Sequence, residues 1–271
     1  MPRPGCPPRK SKIKILTPIR RFVLALQFLT VAAVRPGLRA DGRDLAGSML
    51  FFPLVGLILG AALAGFNRVV GFWPPVLADA LTVALLVVLT RGLHLEGLAD
   101  TADGLAGGMG SGRALEIMKD HNSGAFAVMA VALDLLLRWA ALMSLAPGLK
   151  PAALILMATA GRWSMVVATY KSPYARPRDE GGDSPTGLAR PFTEELGSLE
   201  LVGAGLTALA AGVFFLGARG FMLLAGAGVL AWLFRLYLIR RLGGITGDTL
   251  GATGEMTEVG LLLAMAGMFG R

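Results

Sequence analysis

Three carboxylates, Glu96, Asp100 and Asp103, fall within GLHLEGLADTADGL (92–105). On a helix they sit at 0, about 40 and about −20 degrees, so they share one face. Like charges stacked this way repel, and the repulsion grows at the edge of a low-dielectric phase. Protonation or cations must offset it, since no Lys or Arg lies between 92 and 112. Mg²⁺ is a hard ion that takes carboxylate and phosphate oxygens together. The cluster therefore points to a divalent-cation site for a diphosphate substrate, with Gly97 and Gly104 expected to allow close backbone approach to it. The competing reading is a solvated helix end.

Other groups could join this chemistry. Glu116 and Asp120, in RALEIMKDHNSG (113–124), are spaced i,i+4 beside Arg113 and Lys119, which equally describes an ordinary charged surface helix. His94 and His121 are the only histidines, each beside an acidic motif; without a third His or a Cys they make no zinc site. In GGITGDTLGATGEM (243–256), Asp248 precedes Glu255 by two helical turns. A glycine-rich loop can offer backbone N–H groups to phosphate, although no Gly-Lys-Ser/Thr ends it as in a Walker A loop; a plain membrane-edge loop is the alternative. Arg162 sits in an apolar run, where an Arg needs an acidic partner or a polar cavity. Asp134 and Arg138, i,i+4 within another apolar run, read as each other's structural partner. Lys171 and Arg176 open the middle polar segment.

The elements that must position these groups are membrane helices. The 271 residues are 54% hydrophobic and only 16% charged, with mean hydropathy +0.63, whereas soluble domains carry about 25% charge. Residues 45–67 hold no formal charge, and roughly 20 apolar residues cross a bilayer. Further blocks lie at 76–91, 125–148, 151–170, 199–218 and 220–239, with a shorter one at 259–270. The expectation is an all-α, polytopic helical bundle, one domain over 1–271. It has about seven transmembrane segments, a basic tail (1–21) and a short re-entrant or interfacial N-terminal helix (22–34). Residues 22–34 also mimic a signal peptide and are expected to stay uncleaved. The single Cys6 excludes an intrachain disulfide.

Charge placement separates function classes. Residues 1–40 hold nine Lys/Arg and no acid, a positive-inside signal rather than a nucleic-acid arm, since nothing aromatic or folded accompanies it. Most acids lie in three long polar segments, 92–124, 171–198 and 240–258, joined through short turns. Nine Lys/Arg lie in or beside these segments, against Arg68, Lys150 and Arg219 in the turns, so all three segments are expected to face the cytoplasm. A cation-coupled carrier would place its ionisable residues at mid-membrane. Acids at span ends favour an interfacial active site.

Six stretches together resemble the cobalamin synthase, or adenosylcobinamide-GDP ribazoletransferase, family: FPLVGLILG (52–60), HLEGLADTADGL (94–105), LEIMKD with Gly124-Ala125-Phe126, Gly161-Arg162, Tyr174-Ala175-Arg176-Pro177, and GGITGDTLGATGEMTE (243–258). Glu96 departs from the family's usual Asp, and His-Asn-Ser follows Asp120 where an Arg is common. The resemblance implies a Mg²⁺-dependent enzyme of the bacterial inner membrane. A hydroxyl of α-ribazole, or of its 5′-phosphate, attacks the cobinamide-side phosphoryl group of adenosylcobinamide-GDP and releases GMP. It implies Glu96, Asp100 and Asp103 at a first metal, and Asp248 with Glu255 at a second or orienting the hydroxyl. Arg162, Lys171, Arg176, Thr246 and Gly247 would contact phosphate, and Asp120 or His121 would serve as general base. Assembly as a homo-oligomer, or with other late corrinoid enzymes, is a further expectation. Other readings are another membrane diphosphate-using phosphotransferase or a prenyltransferase. The CDP-alcohol pattern fails, because Asp103-Gly104 continues Leu-Ala-Gly.

Overall fold

The computed structural model describes residues 17–35, 37–38, 40–107, 109–120, 122–176 and 189–270. Eleven helices run through them in order: α1 (Thr17–Leu29), α2 (Gly42–Ser48), α3 (Phe52–Val69), α4 (Pro75–Thr90), α5 (Leu93–Gly107), α6 (Ser111–Ile117), α7 (Ala125–Ser144), α8 (Lys150–Thr169), α9 (Arg190–Glu195), α10 (Ser198–Leu242) and α11 (Gly247–Phe269). No strand occurs among the described residues; one isolated parallel bridge joins Tyr174 and Ile245.

Among the described residues, four helical stretches are long and apolar enough to cross a bilayer: Gly42–Phe72, Ala125–Ser144, Lys150–Thr169 and Ser198–Leu242. The 20 residues of α7 and of α8 each rise about 30 Å, the thickness of the hydrocarbon core. α4 and α5 meet the same requirement only as a pair bent by 90°. α10 is 45 residues long but reverses at Gly217, whose φ of 58° and ψ of −138° leave the helical region. A Cβ on Gly220 would collide with the Gly212 carbonyl. Those residues are eight apart, about 12 Å along a straight helix, so arms 198–216 and 218–242 must pack antiparallel. α1, at 13 residues, is short and lies against α2 and α3.

α8 is the axial helix, buried along nearly its whole length and packed on α3, α10 and α11. Lipid-like surroundings supply no hydrophobic drive between helices, so close backbone packing must. Gly56 and Gly60, one turn apart on α3, provide it: a Cβ at Gly60 would meet Ile155 Cα at 2.5 Å, and one at Gly56 would run into the Ala158 carbonyl. At the end opposite the acidic face, Lys150 Nζ donates to Asp79 at 2.5 Å, and Asn67 donates to Asp79 at 3.0 Å.

The sequence division differs from the structure at two of its polar connections: 92–124 contains α5, which the block 76–91 needs to reach membrane length, and 240–258 contains the start of α11. The segment 240–258, read as a long polar loop, is helical from Gly247 onward, and α11 carries Glu255 and Glu258 into the core. Buried arginines make that tenable. Arg138 donates to Asp134 at 3.0 and 3.2 Å and to both Glu255 and Glu258, while Arg162 donates to Glu258. The Asp134–Arg138 pairing holds as expected, within a larger network.

Candidate active site

The acidic face of α5 meets the N-terminus of α11 because both helices are bare at their crossing. A Cβ on Gly97 would sit 2.6 Å from the Asp248 carbonyl oxygen, and one on Gly251 3.1 Å from that of His94. Gly97 thus serves helix packing rather than backbone approach to a ligand. Gly104 does the same toward α6, where a Cβ would meet the Ala114 carbonyl oxygen at 2.9 Å. The crossing sets Glu96 and Asp100 beside Asp248.

Residues 243–246 form the turn into α11, so the expected glycine-rich loop is a helix start. Thr246 is its N-cap, accepting from Thr249 N–H at 3.2 Å, and Thr249 Oγ1 returns by accepting from Thr246 N–H at 2.8 Å. Such a reciprocal cap satisfies two orphan donors. The Tyr174–Ile245 bridge ties the turn to the loop before it: Ala175 N–H donates to Ile245 O and Ile245 N–H to Pro173 O, both at 2.9 Å. That anchor delivers Arg176 Nη2 to Asp248 Oδ2 at 2.8 Å. Arg190 adds a second cation, donating to Arg176 O at 2.7 Å with its guanidinium 4.7 Å over the Tyr174 ring.

Charge crowding leaves its mark on the acids. Burial, then the Asp248, Glu96 and Asp103 carboxylates, push the Asp100 carboxyl from 3.8 up to about 6. Burial raises Asp248 as well, against the pull of Arg176 and the Thr246 hydroxyl. Asp103 shares the face, but its carboxylate reaches α7, accepting from Gly124 N–H at 2.5 Å and Ala127 N–H at 2.8 Å. It caps a helix whose own N-cap, Gly124, has no side chain to do so.

Two cavities flank the trio Glu96, Arg176 and Asp248, which lines both. One, of about 520 Å³, is polar and adds Asp100, Lys119 and Asp120 to its walls. The other, of about 260 Å³, is walled mainly by apolar groups, among them Phe28, Phe52, Phe192, Met165 and Leu250, with Gly247 at its edge.

The structure does not bring all the expected residues here. Glu255 and Arg162 are buried in the carboxylate–arginine network, where Arg162 Nη2 also lies 3.5 Å from His94 Nδ1. Glu255 therefore stands apart from the acidic face, two turns deeper along α11. The Lys171 ammonium lies 5.3 Å over its neighbour Tyr170 and lines neither cavity. Glu116 pairs with Arg113 at 3.1 Å, the surface pairing, and Asp120 lies past the end of α6, where its Oδ1 accepts from Asn122. His121 lies outside the described residues. Among the described residues, no three His, Cys, Asp or Glu side chains form a ready metal cage. Sequence reasoning missed Arg190, Lys119 and the three phenylalanines as site residues. Their types carry no signal, and only the folded path of the chain collects them.

The cobalamin-5-phosphate synthase family matches residues 21–266. An adenosylcobinamide-GDP ribazoletransferase of Syntrophobacter fumaroxidans is 46% identical over 256 residues, covering 92% of this chain and 98% of its own. Those of Stutzerimonas stutzeri and Desulforamulus reducens are 40% and 39% identical, covering 92% and 87% of this chain and 99% and 91% of theirs. No solved structure matches. Matched by the family over residues 21–266 and by relatives up to 46% identical over most of its length, the chain belongs to the cobalamin-5-phosphate synthase family.

Proposed function

We propose that this protein joins adenosylcobinamide-GDP to α-ribazole, or its 5′-phosphate, to give adenosylcobalamin, or its 5′-phosphate, and GMP. The observation that carries this reading is the shared trio Glu96, Arg176 and Asp248, set between a polar cavity and an apolar one, in a chain whose named relatives carry out this transfer. An oxygen of a ribose hydroxyl bonds to the cobinamide-side phosphorus, the phosphoanhydride bond to GMP breaks, and the hydroxyl proton passes to a base. Such transfers need positioning and charge neutralisation above all.

Arg176 and Lys119 face the polar cavity as cations for the diphosphate oxygens. Glu96, Asp100 and Asp248 are the carboxylates to hold Mg²⁺. The donor set fits: hard carboxylate oxygens, buried and then crowded enough that Asp100 resists ionising. Mg²⁺ commonly binds through one or two carboxylates plus substrate phosphates rather than in an all-protein cage. When bound, it would neutralise charge on the diphosphate. Asp103 contributes charge from its place at the α7 N-terminus. Asp120, in the same polar wall, is the carboxylate to receive the hydroxyl proton. The basic N-terminus, together with the meeting of α5, the loop before Arg176 and the start of α11 at one end of the bundle, supports a site on the cytoplasmic side of the bacterial inner membrane.

The test is incubation of purified protein with adenosylcobinamide-GDP and α-ribazole, with and without Mg²⁺, following GMP. Release that needs both substrates and the metal supports the assignment; no release from either acceptor overturns it.

A further inference from the structure

The apolar cavity has a shape and lining that the phosphoryl chemistry does not explain. It lies among α1, α3, α5, α9 and the start of α11. Phe28 stacks on Phe52 with ring centroids 6.0 Å apart and 19° between planes, and tilts against Phe192 at 5.3 Å. Met165 and Leu250 add to the wall, while Glu96, Arg176 and Asp248 stand at the side shared with the polar cavity.

We propose that this cavity seats the dimethylbenzimidazole ring of α-ribazole, with the ribose at the Glu96–Arg176–Asp248 side and its hydroxyls toward the polar cavity. The proposal rests on the reaction proposed above. Size excludes the corrinoid: about 260 Å³ is below the 300–1,000 Å³ of pockets for drug-sized ligands, and a corrin macrocycle exceeds it. Polarity favours a base with few polar atoms: His94 and Tyr174 are the polar side chains of the lining besides the trio, so most of the donors and acceptors on a guanine edge would lose water without replacement. Dimethylbenzimidazole matches the lining. It is flat, suits offset or edge contacts with aromatic rings and adaptable contact with a methionine thioether, and once glycosylated keeps one free ring nitrogen as its only polar atom. Acceptor and donor then meet only at the trio, and the apolar base holds the nucleophile in place.

The test compares α-ribazole with the riboside of unmethylated benzimidazole, in wild type, in Leu250→Phe, which narrows the cavity, and in Phe28→Ala, which opens it. For the wild type, loss of both buried methyl groups should raise the acceptor KM roughly tenfold. Leu250→Phe should raise the α-ribazole KM about tenfold or more, and that of the unmethylated riboside much less. Phe28→Ala should raise the α-ribazole KM several-fold and weaken the discrimination between the two bases. In both variants the KM for adenosylcobinamide-GDP should stay within about twofold. Equal wild-type KM values for the two ribosides, or a variant effect on the donor instead, would overturn the proposal. Where a variant turns over too slowly, calorimetric binding of α-ribazole without donor replaces the KM, and unchanged affinity overturns it too. A wild type that turns over neither riboside sinks the reaction itself, a distinguishable outcome.

Discussion

Replacing Asp100 by Asn should make the metal-free protein more stable at neutral pH while removing its activity. The Asp100 carboxyl is raised from 3.8 to about 6 by burial and by the Asp248, Glu96 and Asp103 carboxylates. A carboxyl that binds its proton more tightly folded than unfolded contributes stability that is fully present below about 4 and lost as pH rises through about 6. At 1.36 kcal/mol per pH unit the shift corresponds to about 3 kcal/mol. The residue is only partly buried, so solvent screening reduces this to about 1.5 kcal/mol. Asn keeps the shape and removes the charge, so Asp100→Asn should gain about that much over wild type at pH 7.5 and nothing at pH 4. For a chain of this size the gain is about 3–6 °C in Tm. The assay is thermal unfolding of detergent-purified protein across pH 4–8, wild type and variant side by side, with chelator and then with millimolar Mg²⁺. The metal should stabilise wild type above pH 6 and leave the variant unchanged. Parallel pH profiles, or a variant less stable at pH 7.5, would refute this account of Asp100.

Asp103→Ala should behave oppositely, losing the cap on α7 at a cost of about 1–2 kcal/mol, while retaining more turnover than Asp100→Asn; a Tm equal to wild type would show that the Gly124 and Ala127 contacts are not structural. Arg138→Leu strands Asp134 and Glu255 in the core, leaving Glu258 to Arg162 alone, and should destabilise by about 3–5 kcal/mol, seen as loss of the monodisperse peak on gel filtration; Arg138→Leu with Glu255→Leu should recover part of it. Gly97→Ala drives a methyl into the Asp248 carbonyl and should cost about 1–3 kcal/mol, with turnover falling more than Tm because the displaced group lies at the site; full activity would mean the α5–α11 crossing can relax. Glu96→Gln should lose most activity and Glu96→Asp retain a substantial part, measured as GMP release, since only the first removes the charge; equal rates in both would remove Glu96 from the site.

Much was legible in the chain because the physics is local. Uncharged runs of membrane length, glycine and proline at the junctions, and most acids gathered in three segments point to a helical membrane bundle with one charged end. The 3.6-residue period places Glu96, Asp100 and Asp103 on one face. The i,i+4 spacing of Asp134 and Arg138 also predicted a pair that forms. What periodicity cannot supply is the partner across space. Glu255 and Asp248 lie on one helix two turns apart, yet one meets a buried arginine and the other a cavity, because α7 and α8 pass beside the deeper residue. Arg162 follows the same rule. The polar 247–258 reads as a loop until the arginines that offset its acids are known, since a charged helix enters a core only when its charges are paired. Asp103 reads as a ligand until a neighbouring helix presents bare N–H groups to it, and Phe28, Phe52 and Phe192 read as ordinary core until α1, α3 and α9 close around one cavity. The sequence by itself determined which residues are charged, apolar or helical; only the tertiary structure decided which of them face each other, because pairing and enclosure depend on segments up to more than 150 residues apart.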